Sequence, residues 1–199
     1  MKGFVISVLV GGVFLVSVIL LKNSMVQHSI DSVYDISIKN DIETIRLLLS
    51  NDMQYVGYGR SAEIIEIHDS VLTFRAEILP GDFLQISWEL TDDVPSGVSN
   101  PDLRTLVRNG PMYDGTADVF ESTFLVSRFD IAAFMDAQGI YPVTNCENGH
   151  NSCNNIRSIL VEVDVETAEA VGSGPGGEAR YPGANWSRLF RPRNLNLDN

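Results

Sequence analysis

Between Phe4 and Leu21 the chain carries no charge: FVISVLVGGVFLVSVILL, eighteen residues bracketed by Lys2 and Lys22. As a helix rising ~1.5 Å per residue this stretch spans roughly 27 Å, one bilayer crossing. Lys2 and the free amine hold the short N-terminal side in the cytoplasm, so the remaining chain is expected outside the inner membrane. A cleaved secretory signal would end in small residues, but the sequence runs on as LLKNSMVQHS, and no Cys follows the apolar run as a lipoprotein signal requires. The segment is therefore expected to act as a retained span.

Helical spacing continues past the span. Ile38, Ile42, Ile45, Leu49, Met53 and Val56 step by 4, 3, 4, 4 and 3 residues and form one apolar stripe, with Asp41, Glu43, Arg46 and Asn51 largely off it. Residues 23–37 read as a polar, exposed helix and residues 38–56 as one packed against a domain. No Pro interrupts residues 4–56, and Gly57 and Gly59 supply a stop. An uninterrupted helix of this extent would be ~80 Å long, with Gly11 and Gly12 its weak points.

After Gly59 the period changes to two. EIIEIHDS, VLTFRAEI and FLQISWEL, at residues 63–70, 71–78 and 83–90, alternate and are rich in β-branched and aromatic residues, which predicts adjacent antiparallel strands. Asp69-Ser70 and Pro80-Gly81-Asp82 supply the turns. A polar loop over Thr91–Pro101 leads to a short strand at Leu103–Arg108, and the segments Val119–Met135 and Ile156–Val165 read as the final long strands. Residues 172–185 (GSGPGGEARYPGAN) hold too much Gly and Pro for a strand or helix and read as a surface loop, with a partner or adhesive contact as its functional reading. The fold class is α+β: a long N-terminal helix packed on an antiparallel β-sheet domain.

Composition narrows the role. The 199 residues give room for one domain, and 44% apolar with 20% charged residues excludes a disordered tail. The net charge of −12 excludes a basic nucleic-acid binder. Without Lys2 and Lys22 the remainder has 12 basic against 26 acidic residues, a net −14 for the exported part.

Candidate chemistry is sparse. Cys146 and Cys153 have six residues between them, and an oxidising compartment favours a disulfide closing that small loop. His150 lies between them, so a C-x3-H-x2-C metal site is the alternative, lacking a fourth ligand. Asp92-Asp93 with Asp102, and the tail Asn194–Asn199, offer oxygen atoms of the kind calcium takes, but neither matches a twelve-residue EF-hand loop. The three histidines, His28, His68 and His150, are scattered, and no G-x-S-x-G, H-E-x-x-H, Walker lysine or G-x-G-x-x-G is present; Gly174-Pro175-Gly176-Gly177 lacks a strand before it and a helix after it. The expectation is a protein without catalytic, cofactor-binding or metal residues.

The opening Met1-Lys2-Gly3-Phe4 followed by an apolar helix resembles a type IV prepilin signal, and the run Ile45–Gly59 (IRLLLSNDMQYVGYG) resembles the helix-to-AGYG junction of W-type minor pilins and J-type pseudopilins of type II secretion. The strand ISWEL, the Leu103–Arg108 segment, the residues 126–139, the I-x-x-I-x-V-x-V strand and the close Arg191-Pro192-Arg193-Asn194-Leu195 are similar to that group as well. The resemblance implies a leader of residues 1–3 cut between Gly3 and Phe4 with methylation of Phe4, a membrane and filament-core helix over 4–21 including Val5, Val8, Gly11, Gly12, Phe14 and Leu21, an extracytoplasmic continuation over 22–58, and a β domain over 59–199. Most pilins carry Glu at the fifth mature position. Val8 stands there, as in K-type tip pseudopilins, which implies a minor subunit rather than a repeating one. The implied partners are other pilin or pseudopilin subunits, a prepilin peptidase and, before assembly, inner membrane lipids, with no direct nucleic-acid binding. The competing expectations are an extracytoplasmic ligand-binding domain held singly by an uncleaved anchor, or a major pilin lacking the usual fifth-position Glu.

Overall fold

The computed structural model describes residues 2–59, 63–113, 115–144, 146–147, 151–173 and 176–196, with the side chains of residues 2–9, 151, 152 and 196 outside the description. Helix α1 runs Lys2–Tyr55 without interruption through Gly11 and Gly12. Among the described residues eight strands follow: β1 Glu63–His68, β2 Val71–Leu79, β3 Asp82–Leu90, β4 Arg104–Pro111, β5 Val119–Val126, β6 Arg128–Phe134, β7 Ser158–Glu166 and β8 Gly183–Phe190. Short 3-10 turns occupy Asn151–Asn155 and Arg193–Asn196. The chain is α+β, and all its strand pairs are antiparallel.

The chain divides into two compact units, Met1–Ser37 and Ile38–Asn199. The first is the leading part of α1. The second holds the strands, arranged as two sheets: a five-stranded meander in the order β1-β2-β3-β4-β5 and a three-stranded sheet in the order β6-β7-β8.

The stretch Val119–Met135, a single strand by its composition, is divided between the sheets. Strand β5 pairs with β4 up to Val126 opposite Arg104, and β6 begins on β7 with Arg128 opposite Asp164. Ser127 lies at the crossing, its amide donating to the Asp164 carbonyl at 2.9 Å. The polar pair Ser127-Arg128 shifts the alternation by one residue, so Val126 and Phe129 are the buried residues on either side of the step. A strand passing between two packed sheets needs such a break.

The segment 172–185 likewise ends inside a strand. Gly183 opens β8 opposite Glu166, and a side chain there would approach the Val165 carbonyl and Glu166 Cγ to 2.8 Å. Glycine at that point permits close pairing of β8 with β7 rather than a loop. Positions 174 and 175 fall outside the described residues.

The core of the second unit takes the apolar stripe of α1 as one wall. Ile38, Ile45, Leu49, Met53 and Val56 are buried, and Ile42 is partly so. They meet inward residues of both sheets, among them Leu72, Phe74, Ile86, Trp88, Phe129, Val161 and Val163. At ~25 cal/mol per Å2 of apolar surface removed from water, each such side chain contributes about 1.5–3 kcal/mol.

Candidate functional site

From Val10 to Leu21 apolar side chains face outward on every side. Val13, Phe14 and Leu21 are 66%, 71% and 64% exposed, and Val10, Leu15, Val16, Val18, Ile19 and Leu20 are exposed with them. A helix apolar all round is suited to a lipid or a protein interior, not to water. The helix is long and apolar enough to cross a membrane, and its one described hydroxyl there, Ser17, donates back to the Val13 carbonyl at 2.9 Å. That bond removes an unpaired polar group from what would be the hydrocarbon region. Gly11 and Gly12 leave open space where a Cβ would stand. Gly3, Phe4, Val5 and Val8 are helical in backbone, and their side chains lie outside the description.

The last turn of α1 carries a buried polar cluster that the sequence pattern does not announce. Asp52, adjacent to the stripe residue Met53, is completely buried. Its Oδ2 accepts from Trp88 Nε1 at 2.6 Å and from Arg108 Nε at 2.9 Å, and its Oδ1 accepts from an Arg108 terminal nitrogen at 2.7 Å and from the Tyr113 hydroxyl. Arg108 is also fully buried; the same terminal nitrogen donates to the Pro111 carbonyl at 2.9 Å. The guanidinium lies 5.8 Å from the Trp88 ring centre and 5.9 Å from that of Tyr113, within cation–π range. Tyr113 stacks on Tyr55 with ring centres 5.1 Å apart. A Cβ on Gly110 would stand 2.8 Å from an Arg108 terminal nitrogen, so glycine there makes room for the guanidinium.

The electrostatics follow from that packing. Burial works against the Arg108 charge, but the hydrogen bonds and charge of Asp52, with help from Tyr113, outweigh it and hold the guanidinium above its ordinary pKa. Burial, then the charge and hydrogen bond of Asp52, push the Tyr113 phenol well above the usual tyrosine range. These groups are locked in their resting states near neutrality. Arg108 Nη1 is buried without a partner among the described residues.

Cys146 and Cys153 form a disulfide with Cα atoms 4.9 Å apart. Both are buried, and the Ile67 amide of β1 donates to the Cys146 carbonyl at 2.8 Å, fixing the small loop to the sheet edge. His150 lies outside the described residues. Asp92 and Asp93 are exposed, while the Asp102 amide is held by the Asn100 side chain at 3.0 Å. Asn194 donates to the Gln54 carbonyl at 3.2 Å, and residues 197–199 of the tail fall outside the description. His28 is exposed on α1, and His68 ends β1 with Nε2 3.0 Å from Glu66 Oε1. Among the described residues no group of three or more His, Cys, Asp or Glu is placed to hold a metal ion.

No family model, curated protein or solved structure matches the chain. The architecture, an apolar N-terminal helix followed by antiparallel sheets, is pilin-like.

Proposed function

We propose that the chain is a structural subunit of a type IV pilus or a type II secretion-like filament, in a minor rather than a repeating position, and that it has no catalytic activity. One observation carries this reading: a single helix is buried as a core wall from Ile38 onward and is apolar yet uncovered from Val10 to Leu21. Such a helix needs a second apolar environment. A bilayer supplies it before assembly, and neighbouring helices supply it afterwards through close packing, so the side chains stay among apolar groups.

In this reading the precursor sits in the inner membrane with its N-terminus cytoplasmic. A prepilin peptidase cuts between Gly3 and Phe4, the new Phe4 amine is methylated, and the helix enters a filament beside other pilin or pseudopilin subunits. Val8, where a carboxylate would pair with a neighbour's amine, leaves that attachment out and favours a priming or capping place. The short loop beside β1 is closed by the Cys146–Cys153 disulfide, stable in the periplasm or at the cell surface.

Intact mass and N-terminal sequencing of the full chain, taken from membranes and from sheared surface material, test the reading. The expected product lacks Met1–Gly3 and begins with methylated Phe4. An intact Met1 found only in membranes would sink it in favour of a singly anchored binding domain.

A further inference from the structure

Strand β5 is an edge of the five-stranded sheet, paired with β4 over eight residues in a register without a bulge. The direction of its free backbone groups follows from the ladder. The Thr91 amide donates to the Thr105 carbonyl at 2.9 Å, so the odd-numbered residues of β4 bond toward β3 and the even-numbered ones toward β5. Their counterparts Phe120, Ser122, Phe124 and Val126 therefore bond back to β4, and the N–H and C=O groups of Val119, Glu121, Thr123 and Leu125 point away from the sheet. Ser127, next in the same phase, shows that direction by donating to the Asp164 carbonyl of β7 at 2.9 Å. Among the described residues no backbone bond reaches the outward groups from Val119 to Leu125. Val119, Phe120 and Leu125 are 50%, 44% and 38% exposed, with Glu121 and Thr123 exposed between them.

The other sheet edges are occupied or blunted. On β1 the Ile67 amide is bonded to Cys146, and the Asp69 carbonyl beyond it accepts from Ile131 of β6 at 2.6 Å. That bond also occupies β6, whose Ala133 carbonyl accepts from Val143 at 2.8 Å. Strand β8 is set between Pro182 and Pro192 and carries Arg188. Prolines, charges, bulges and covering segments are the means by which edges are kept from pairing, and β5 has only the single charge of Glu121. A second copy does not supply the missing strand. Its open edge is again β5, and β5 paired antiparallel with β5 requires a two-fold axis perpendicular to the sheet. From Ile38 to Met53 α1 lies along the inner faces of the sheets, so that axis would send the two helices in opposite directions, which one membrane does not accept. Asp118, just before β5, and Glu121 are exposed and form no ion pair among the described residues. In an antiparallel partner a basic residue near the C-terminal end meets them.

We propose that β5 takes up an extended segment of a different exported subunit as a further, antiparallel strand of the sheet, apolar at alternate positions and basic near its C-terminal end. The backbone of that segment bonds to the outward groups of Val119, Glu121, Thr123 and Leu125, which supplies affinity, and its apolar side chains extend the face begun by Phe120 and Phe124, which supplies selectivity. The proposal rests on the filament-subunit reading and deepens it by naming the surface through which this domain holds a neighbour. Because the neighbour is a different chain, the contact does not repeat, in keeping with a minor position.

The test uses the full chain in producing cells, with the photo-cross-linker benzoylphenylalanine in place of Glu121 in one sample and of Leu125 in another, and peptide mapping of each product. Capture alone decides nothing; the order of the landing points does. The expected links fall on one segment of one other protein, with the probe at position 121 landing about four residues closer to that segment's C-terminus than the probe at position 125, as antiparallel pairing requires. Thr123→Pro removes an outward N–H while leaving the bonds to β4 in place, and proline is tolerated on such an edge. With the probe at position 125 it is expected to lower the yield about tenfold with the thermal midpoint of the chain unmoved, and Glu121→Lys is expected to lower the yield as well. Links to β5 of a second copy, landing points in the reverse order or scattered over a surface, or a yield that neither variant moves would overturn the proposal. The N-terminal mass of the same samples separates the two failures: processed Phe4 without ordered links removes only this contact, whereas an intact Met1 with no surface material removes the subunit reading itself.

Discussion

Asp52 and Arg108 are charged residues of zero exposure, and their worth to the fold depends on their being a pair. Removing one partner leaves the other charge buried and uncompensated, which costs about 3–5 kcal/mol, whereas replacing both by apolar residues of similar volume is often neutral. Arg108→Met alone is therefore expected to lower the stability of the full chain in detergent by that amount, and Asp52→Leu with Arg108→Met together to recover most of it. Urea unfolding followed by tryptophan fluorescence measures both; a double variant no more stable than the single one would mean the two charges are not coupled. Tyr113 gives the cluster a pH signature. Its folded pKa is raised above the ordinary 10.0, chiefly by burial and then by Asp52. Its contribution is thus fully present below pH 10 and is lost as the pH rises above that value, because the unfolded chain releases the phenol proton first. Tyr113→Phe should flatten this alkaline loss of stability, and an unchanged slope between pH 9 and 11 would count against the assignment. None of this cluster is legible in the sequence. Asp52 sits 36, 56 and 61 residues from Trp88, Arg108 and Tyr113, and only the fold brings them together.

At the scale of elements the hydrophobic period carries most of the information. The stripe from Ile38 to Val56 is buried because a helix repeat places those residues on one face, and β1, β2 and β3 lie where the two-residue alternation puts them. The pattern fails where tertiary pairing decides. Ser127 divides an apolar run because two sheets claim its halves, and Gly183–Asn185 enter β8 because β7 offers a partner to residues of low strand propensity. The loop closed by Cys146–Cys153 spans a sequence separation of 7. Closing a loop that short restricts the unfolded chain by about 2.5 kcal/mol. Cys146→Ser with Cys153→Ser should lower the midpoint of thermal unfolding, and reductant should shift the native chain by the same amount while leaving the double variant unmoved. A native chain insensitive to reductant would remove the disulfide from the list of stabilising features.

For the whole molecule, the sequence makes the division of labour visible before the structure does: one apolar span, one acidic remainder, and no clustered nucleophile, base and metal-ligand set. The spanning length of the helix follows from the uncharged run and the α+β class from the change of period after Gly59, whereas the buried cluster requires distant segments to be brought together. The Asp52 cluster has a mechanical consequence. A pull along α1 tends to slide the helix past the sheets, and an apolar stripe resists sliding weakly because its attraction has no direction. The charge-assisted hydrogen bonds from Trp88 on β3 and Arg108 on β4 are directional and do resist it. Tension on the helix is thus delivered at one carboxylate to two adjacent strands inside the five-stranded sheet, and the last turn of the helix serves as the rivet through which the domain bears load.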